Sequence, residues 1–192
     1  MGQRLAKAFE EHWEAGRQDG AGLLAGGARW TAENRDGRVL GEIAKGAYMQ
    51  PCVWEGVTPA MEIFQQEILG PTVNLCAVDS FEQALAYANG TPYGLCSAIY
   101  TQNRHWIDQF TREIQAGMTS INNSTVGSEV QLPFGGIGWS GNGTREGGAW
   151  ALEACSRWQA VNDDASARLQ LAQIETDYGK LAQYDTTKWD LL

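Results

Sequence analysis

The chain contains 192 residues, of which 43% are hydrophobic and 19% are charged, and its formal net charge at pH 7 is −9. This acidic balance argues against a nucleic-acid partner, because binding to phosphate requires clustered Lys and Arg. No run of eighteen apolar residues occurs, so no membrane span is predicted, and the N-terminus lacks the apolar core of a secretory signal.

At the N-terminus, residues 3–16 have the spacing of an amphipathic helix. Leu5, Phe9 and Trp13 recur every four residues, and Gly16 is expected to end the helix. A strand is predicted at 47–54, where Pro51 indicates an edge position or a bulge, because proline cannot donate a ladder hydrogen bond.

The clearest pattern is an alternation of strands and helices between residues 72 and 122. The predicted elements are strands at 72–78, 95–100 and 118–122, with helices at 80–90 and 105–115 between them. Ser80 and Gln83 have the spacing of a capping box. This order predicts an α/β fold in which helices cover a parallel sheet through right-handed crossovers. A closing helix is predicted at 149–158, followed by a terminal strand that ends near Asn162.

The four cysteines are widely spaced and form no C-x-x-C pair: Cys52, Cys76, Cys96 and Cys155. Cys76 and Cys96 lie within apolar runs, as is typical of buried free thiols. We therefore expect an intracellular protein in a reducing compartment, either the cytoplasm or the mitochondrial matrix. Because the chain has only two histidines, no metal site is predicted.

A glycine-rich stretch at 132–148 is expected to be a long ordered loop of functional importance. Residues 136–141 satisfy the pattern G-x-G-x-x-G, but Pro133 interrupts the approach, and Asn142-Gly143 stands where a helix should begin. The match to a dinucleotide fingerprint is therefore interpreted as accidental.

The motifs of this loop resemble the aldehyde dehydrogenase superfamily. Leu-Pro-Phe-Gly-Gly at 132–136, Ser-Gly-Asn-Gly at 140–143 and Arg-Glu-Gly-Gly at 145–148 are similar to a loop near the end of that family's catalytic domain. Upstream, Gln-Glu-Ile-Leu-Gly-Pro at 66–71 is similar to its Glu-Glu-Ile-Phe-Gly-Pro signature. Further matches lie at 26–27, 48–51, 93–95 and 121–122, so the resemblance extends from about residue 4 to about residue 178.

The resemblance implies an α/β fold with a truncated parallel open sheet and flanking helices. Residues 1–163 would form a partial catalytic domain, and 164–192 a partly helical, docked tail. It also implies that the nucleophilic cysteine, the glutamate base and the Rossmann domain precede this chain. None of the four cysteines matches the nucleophile, so no catalytic residue is assigned. Residues 158–163 match the family's final strand, which bridges to a partner subunit.

By the same resemblance, Glu67 matches the glutamate that accepts hydrogen bonds from the nicotinamide-ribose hydroxyls. Leu69 stands where the family has Phe against that ribose, and Phe134 matches an aromatic near the substrate mouth. A local cap or ion pair for Glu67, and a plain core role for Phe134, are the alternatives. Gly138 replaces a usual lysine, and Trp139 adds bulk where the family is commonly small.

Two functions therefore remain open. The first is an inactive accessory or structural subunit of a larger assembly, which binds no cofactor by itself. The second is the C-terminal half of a split aldehyde dehydrogenase that uses NAD or NADP once a partner chain completes it. A partial gene product is a third possibility. In either functional case we expect other protein chains as partners, because a truncated sheet leaves an open edge and is not a stable free monomer.

Overall fold

The structure is a computed structural model that describes residues 2–37, 39–163 and 165. The chain divides into two compact units, 1–156 and 157–192. In the second unit, residues 157–163 are exposed and form neither helix nor strand. The terminal strand predicted up to Asn162 is therefore wrong: the segment has no strand conformation, and its polar end, Asn162-Asp163, is of a kind that strands disfavour. The tail at 164–192 lies outside the described residues, apart from Ala165, and its docking stays a prediction.

Helix α1, Gln3–Gln18, runs two residues beyond the predicted end at Gly16. Gly16 is buried inside the helix, and a Cβ there would lie 3.1 Å from Ile63 Cδ1. Glycine thus serves as a point of close approach at this position, and the chain turns only after Asp19.

A three-stranded sheet packs beside α1. It contains β1 (Gly22–Ala25), β2 (Cys52–Glu55) and β3 (Thr72–Asn74), with β2 in the centre. The β1 and β2 strands are antiparallel with an irregular register, whereas β2 and β3 are parallel. A 3₁₀ helix, Ile43–Lys45, lies in the connection between β1 and β2. The strand predicted at 47–54 begins only after Pro51, which has no N–H to donate.

The main core of the molecule lies between α1, this sheet and the short helix α2, Glu62–Gln65. Trp54 is 1% exposed and contacts the ring of Trp13 at a centroid distance of 6.2 Å. The buried members of this cluster are Ala6, Phe9, Ala21, Ala47, Met49, Cys52, Trp54, Val57 and Ile63. Burial of these apolar groups provides the main driving force for folding this part of the chain.

The second half contains the remaining elements. They are α3 (Phe81–Ala88), β4 (Tyr93–Gly94), β5 (Cys96–Ile99), α4 (Arg104–Glu113), β6 (Met118–Ile121), β7 (Ile137–Gly138) and α5 (Trp150–Ala154). The predicted cap of α3 is confirmed, since Ser80 Oγ accepts a hydrogen bond from the backbone N–H of Gln83 at 3.1 Å. Asn103 caps α4 in the same way.

The α/β class with open sheets and flanking helices is confirmed, with one correction to the strand pairing. Strands β5 and β6 are parallel and are joined through α4, as the alternation predicts. Strand β3, however, pairs with β2 and not with β5, so the predicted single sheet is wrong. The backbone groups of this segment are engaged by β2, as in the hydrogen bond from the Leu75 N–H to the Trp54 carbonyl at 2.8 Å, and β3 itself ends after three residues at Asn74.

All four cysteines are free, but only Cys52 is buried. Cys76 and Cys96 are half-buried and Cys155 is exposed, so the predicted burial of Cys76 and Cys96 is corrected. Cys96 begins β5, whereas Cys76 lies two residues beyond the end of β3, in a segment without regular structure. Within the described ranges, no helix is long and apolar enough to cross a membrane. The same ranges contain no group of three or more residues suited to hold a metal ion.

Candidate cofactor-facing cleft and glycine loop

Glu67 follows directly after α2, in a segment that is fixed at two points. Its backbone N–H donates to Tyr93 Oη at 3.4 Å. Two residues earlier, Gln65 Nε2 donates to the carbonyls of Pro59 and Gly90, at 2.9 and 3.1 Å. These bonds tie the end of α2 to the turn after α3, so they hold the backbone near Glu67, whose side chain is exposed.

A cleft of about 550 Å³ opens beside Glu67. One side of it is formed by β4 and β5, and another by the C-terminal end of α4. Among the described residues, no ion pair or hydrogen bond engages the Glu67 carboxylate. A carboxylate that is acceptor-only and free of partners can accept hydrogen bonds from hydroxyl groups of a ligand. The local cap or ion pair considered as an alternative for Glu67 is thus not found in the described structure.

The other two predicted site residues lie apart from this cleft. Leu69 is 59% exposed, so most of its side chain is available for packing against another group. Its exposure alone does not identify that group. Phe134 is half-buried, and its backbone exchanges two hydrogen bonds with that of Glu146, at 2.6 and 2.7 Å. In the described part of the chain, Phe134 is not among the residues that line the Glu67 cleft.

Phe134 instead neighbours a second cleft of about 410 Å³, between β6 and the segment at 123–133. The lining of this cleft is mixed: polar side chains such as Thr119, Ser120 and Asn123 alternate with apolar ones such as Met118 and Val126. Leu132 and Pro133, which directly precede Phe134, also line it. The substrate-mouth role of Phe134 stays a prediction.

The glycine loop is organised by Arg145. Its Nη1 atom donates to three backbone carbonyls, those of Gly136, Gly143 and Thr144, at 3.3, 3.0 and 3.1 Å. Because the guanidinium group is a rigid donor, these bonds draw the two limbs of the loop together. In the sequence, Arg145 is distinguished only as part of the motif at 145–148, because its role depends on a fold of the loop that residue order does not display.

Strand β7 joins this loop to β4. Ser140 Oγ accepts a hydrogen bond from the backbone N–H of Gly94 at 3.1 Å, next to the β4–β7 pairing. Gly138 has a φ of 59°, and a Cβ there would lie 2.4 Å from the carbonyl oxygen of Pro92. A lysine at this position would therefore clash with the backbone. The backbone of Ile137 and Gly138 pairs with β4. This pairing agrees with the interpretation that the G-x-G-x-x-G pattern of the loop is not a phosphate-binding site.

Tyr93 connects the loop to Glu67. Its hydroxyl oxygen accepts a hydrogen bond from the Glu67 N–H. Its ring packs in a T-shaped arrangement with the ring of Trp139, with a centroid distance of 5.8 Å and an interplanar angle of 89°. The resemblance at residues 93–95 includes Tyr93 but does not identify it as a support for Glu67. The only available signal was its place in a matching motif, because the contact spans 26 residues.

A thiol is also present in the cleft, on Cys96 of β5. Burial raises the pKa of the Cys96 thiol above its ordinary value. The neutral form is thereby favoured, whereas a nucleophilic cysteine needs a lowered pKa. Cys96 is consequently a strand residue of the cleft wall with a weakly reactive thiol.

Comparison with known proteins agrees with this geometry. The family model described as "Aldehyde dehydrogenase family" matches residues 2–161. The alpha-ketoglutaric semialdehyde dehydrogenase of Bacillus subtilis is 42% identical over 140 residues, covering 73% of this chain and 27% of the relative. The alpha-ketoglutarate semialdehyde dehydrogenase of Haloferax volcanii is 35% identical over 154 residues, covering 80% of this chain and 30% of the relative.

Solved structures give the same result. An NAD-dependent aldehyde dehydrogenase from Sinorhizobium meliloti matches with a TM-score of 0.76 and 31% identity, over 88% of this chain and 31% of its own. An indole-3-acetaldehyde dehydrogenase solved with NAD+ matches with a TM-score of 0.70 and 33% identity, over 79% of this chain and 28% of its own. The 192 residues thus span less than a third of the length of these relatives. By its family match and its identity to these relatives, the chain belongs to the aldehyde dehydrogenase family.

Proposed function

We propose that these 192 residues are catalytically inactive by themselves and act as an accessory or structural part of a larger aldehyde dehydrogenase-like assembly. The observation that carries this proposal is the Glu67 cleft, whose lining includes the Glu67 carboxylate and the Cys96 thiol, a thiol whose pKa is raised by burial. Aldehyde oxidation through a covalent intermediate needs an activated thiolate. The Cys96 thiol does not suit that role, because its neutral form is favoured.

The partners proposed for the chain are other protein segments that carry the rest of the family fold. We call these the complementing part, defined as the portion of an aldehyde dehydrogenase that the 192 residues do not match. The proposal holds whether the complementing part is on another chain or on a longer version of this one. Exposed apolar side chains such as Leu75, Trp150 and Leu152 support it, because isolated domains rarely leave many such groups in water.

A second candidate function is favoured by Glu67 itself. Its carboxylate is exposed, has no partner within the described residues, and belongs to a segment that Tyr93 and Gln65 hold in place. This arrangement fits the hydroxyls of a nicotinamide ribose, and the exposed Leu69 could pack against such a ribose. When bound, NAD or NADP would supply the hydride acceptor. On this alternative, the chain would complete a split enzyme that oxidises an aldehyde to an acid.

The first experiment measures aldehyde-dependent reduction of NAD and NADP by the isolated chain. We expect no activity above that of a heat-denatured sample, because the thiol that lines the described cleft has a raised pKa and is a poor nucleophile. Turnover by the isolated chain would overturn the proposal of inactivity.

The second experiment separates the two candidates in the assembly purified from its own cell. Glu67→Gln keeps the size of the side chain but removes the charged acceptor, and Glu82→Gln on the exposed side of α3 is a matched control. If the chain is an accessory subunit, both variants assemble and retain the activity of the complex. Loss of NAD-dependent activity in Glu67→Gln alone, with assembly retained, would favour the split enzyme.

We also propose that the protein works in a reducing compartment. The four free thiols support this location, because such a set would be oxidised in a secretory environment. Fractionation of the source cell, followed by immunoblotting, tests it: recovery of the protein in a secreted fraction would contradict the proposal.

A further inference from the structure

The tripeptide Asn-Gly-Thr occurs twice in the chain, at 89–91 and at 142–144. An asparagine that precedes glycine is chemically labile, because glycine has no side chain to hinder the attack of its backbone nitrogen on the asparagine side chain. Asparagine is for this reason counted among the thermolabile residues of proteins. Because the three residues are the same in both copies, the structure around them is the main source of a difference in reactivity.

In the first copy, the groups that would react are engaged by the fold. Asn89 Nδ2 donates to the Glu113 carbonyl at 2.9 Å, and its Oδ1 accepts from the Gln115 N–H at 2.8 Å. The nitrogen that would attack belongs to Gly90, and its N–H donates to the Tyr87 carbonyl at 3.0 Å. These bonds join the ends of α3 and α4, so a reaction at Asn89 requires this part of the fold to open first.

In the second copy, Asn142, Gly143 and Thr144 are all exposed. Asn142 Oδ1 accepts hydrogen bonds from the N–H and the hydroxyl of Thr144, at 3.0 and 2.7 Å. Among the described residues, Asn142 Nδ2 and the Gly143 N–H have no hydrogen-bond partner. Gly143 has a φ of 91°, and nothing lies within 4 Å of its Cβ position, so the chain around it has room to rearrange. No distant segment therefore holds this copy in place.

The two bonds from Thr144 also favour the reaction. Attack on the Cγ atom of Asn142 moves electron density onto Oδ1. Donors that already point at an oxygen where charge develops lower the barrier of such a step. Asn89 Oδ1 has a donor as well, but there the leaving nitrogen and the attacking N–H are both bound by other segments.

We propose that Asn142 is a site of spontaneous deamidation in the glycine loop, and that the fold protects the same tripeptide at Asn89. In the first step, the Gly143 nitrogen forms a bond to Asn142 Cγ while the bond from Cγ to Nδ2 breaks. The proton of the Gly143 N–H leaves with Nδ2 as ammonia. Water then opens the resulting succinimide ring at either carbonyl carbon, which gives isoaspartate or aspartate. Water is the co-reactant, nothing is oxidised or reduced, and the site is independent of the proposed function.

The modified loop differs in charge and in length. Either product adds a negative charge, and isoaspartate lengthens the main chain by a methylene directly before the carbonyls of Gly143 and Thr144, which Arg145 binds. Because the bonds of Arg145 draw the two limbs of the loop together, we expect the contact of the loop with the start of β4 to loosen. In that contact the Trp139 N–H donates to the Pro92 carbonyl at 2.9 Å.

The experiment incubates the full 192-residue chain at physiological temperature and pH, and peptide mass mapping follows the conversion of amide to acid at both sites. We expect Asn142 to react about tenfold faster than Asn89 or more, since Asn89 reacts only from a locally opened state. Equal rates at the two sites, or a faster rate at Asn89, would overturn the proposal.

The same incubation in concentrated urea separates the effect of the fold from that of the neighbouring sequence. Without the fold, the two identical tripeptides should react at similar rates. A preference for Asn142 that persists unchanged in urea would show that the residues outside the tripeptide cause it, and would overturn the protective role of the fold.

A pair of variants tests the assistance from Thr144. Thr144→Val removes the hydroxyl that donates to Asn142 Oδ1 and keeps the shape of the side chain. We expect deamidation at Asn142 to slow by about threefold or more, the effect of one ordinary hydrogen bond. Thr91→Val is the matched control in the other copy, where the hydroxyl donates to the Tyr93 carbonyl, and it should leave the rate at Asn142 unchanged. Equal rates in both variants would contradict the assistance.

The effect on the loop is measured on the modified chain after its separation by ion exchange. Hydrogen exchange followed by NMR reports the Trp139 amide, which should exchange about threefold faster or more than in the unmodified chain, since weaker pairing opens more often. The Gln115 amide, which binds Asn89, should not change. An unchanged Trp139 amide would overturn the proposed loosening of the loop.

Discussion

The two halves of the first unit differ in how completely they bury their side chains. Residues up to Asn74 form one cluster in which Phe9, Trp54 and Ile63 are about 2% exposed or less. From Tyr93 to Ala154, full burial of a large apolar side chain is limited, among the described residues, to Ile107 and Phe110, while Trp139 is 71% exposed. The first half closes around its own core, whereas the second half consists of short strands and loops that leave many apolar side chains exposed.

The largest expected effect is on the core of the first half. Trp54→Ala removes a ring that is 1% exposed and packs on Trp13, and such a deletion leaves a cavity that its neighbours cannot fill. We expect the free energy of unfolding to fall by about 3–5 kcal/mol. Urea denaturation measured by circular dichroism checks this. Trp139→Ala is the matched control and should change stability by less than about 1 kcal/mol, since Trp139 is mostly in solvent. Equal losses in the two variants would break the contrast between the halves.

A smaller effect is expected where the second half relies on close backbone packing. A Cβ on Gly117 would lie 1.7 Å from the carbonyl oxygen of Gly135, at the contact between β6 and the glycine loop. Gly117→Ala therefore forces the two segments apart, and we expect a loss of about 1–3 kcal/mol. Thermal unfolding measures it. Gly37→Ala is the control, because nothing lies within 4 Å of its Cβ position. A neutral Gly117→Ala would mean that the loop is held less firmly than this contact indicates.

The helix cap between the two halves should contribute still less. Ser80→Ala removes the acceptor for the Gln83 N–H and leaves one donor of α3 unpaired. The expected loss is about 1 kcal/mol. Chemical denaturation is again the measurement, with Ser128→Ala, on an exposed residue of the segment at 123–133, as the control. A cap variant that is as stable as this control would contradict the assignment.

The reactivity of the cysteines tests the same difference in burial without a measurement of stability. Cys155 is exposed, Cys96 is half-buried with a raised pKa, and Cys52 is buried. A raised pKa leaves less thiolate at a given pH, so alkylation of Cys96 should accelerate only at a higher pH than that of an ordinary thiol. We expect Cys155 to react first, Cys96 later and Cys52 only after unfolding. Iodoacetamide labelling from pH 7 to 10 with peptide mass mapping gives the order, and faster labelling of Cys96 than of Cys155 would contradict it.

The sequence by itself determined the local elements and the family. The apolar spacing of α1, the capping residues of α3 and the apolar runs of β5 and β6 act between neighbours a few positions apart, so residue order displays them. The glycine loop and the motif at Glu67 carried the resemblance for the same reason: each is a short contiguous pattern.

Only the tertiary structure decided how these pieces meet. The support of Glu67 by Tyr93, the three carbonyls bound by Arg145 and the pairing of β3 with β2 join residues that their neighbours in sequence do not identify. Gly16 shows the same limit, because it has the pattern of a helix end but lies within the helix, where Ile63 leaves no room for a side chain. A sequence pattern reports the structural propensity of one segment, whereas its tertiary contacts depend on which distant segment packs against it.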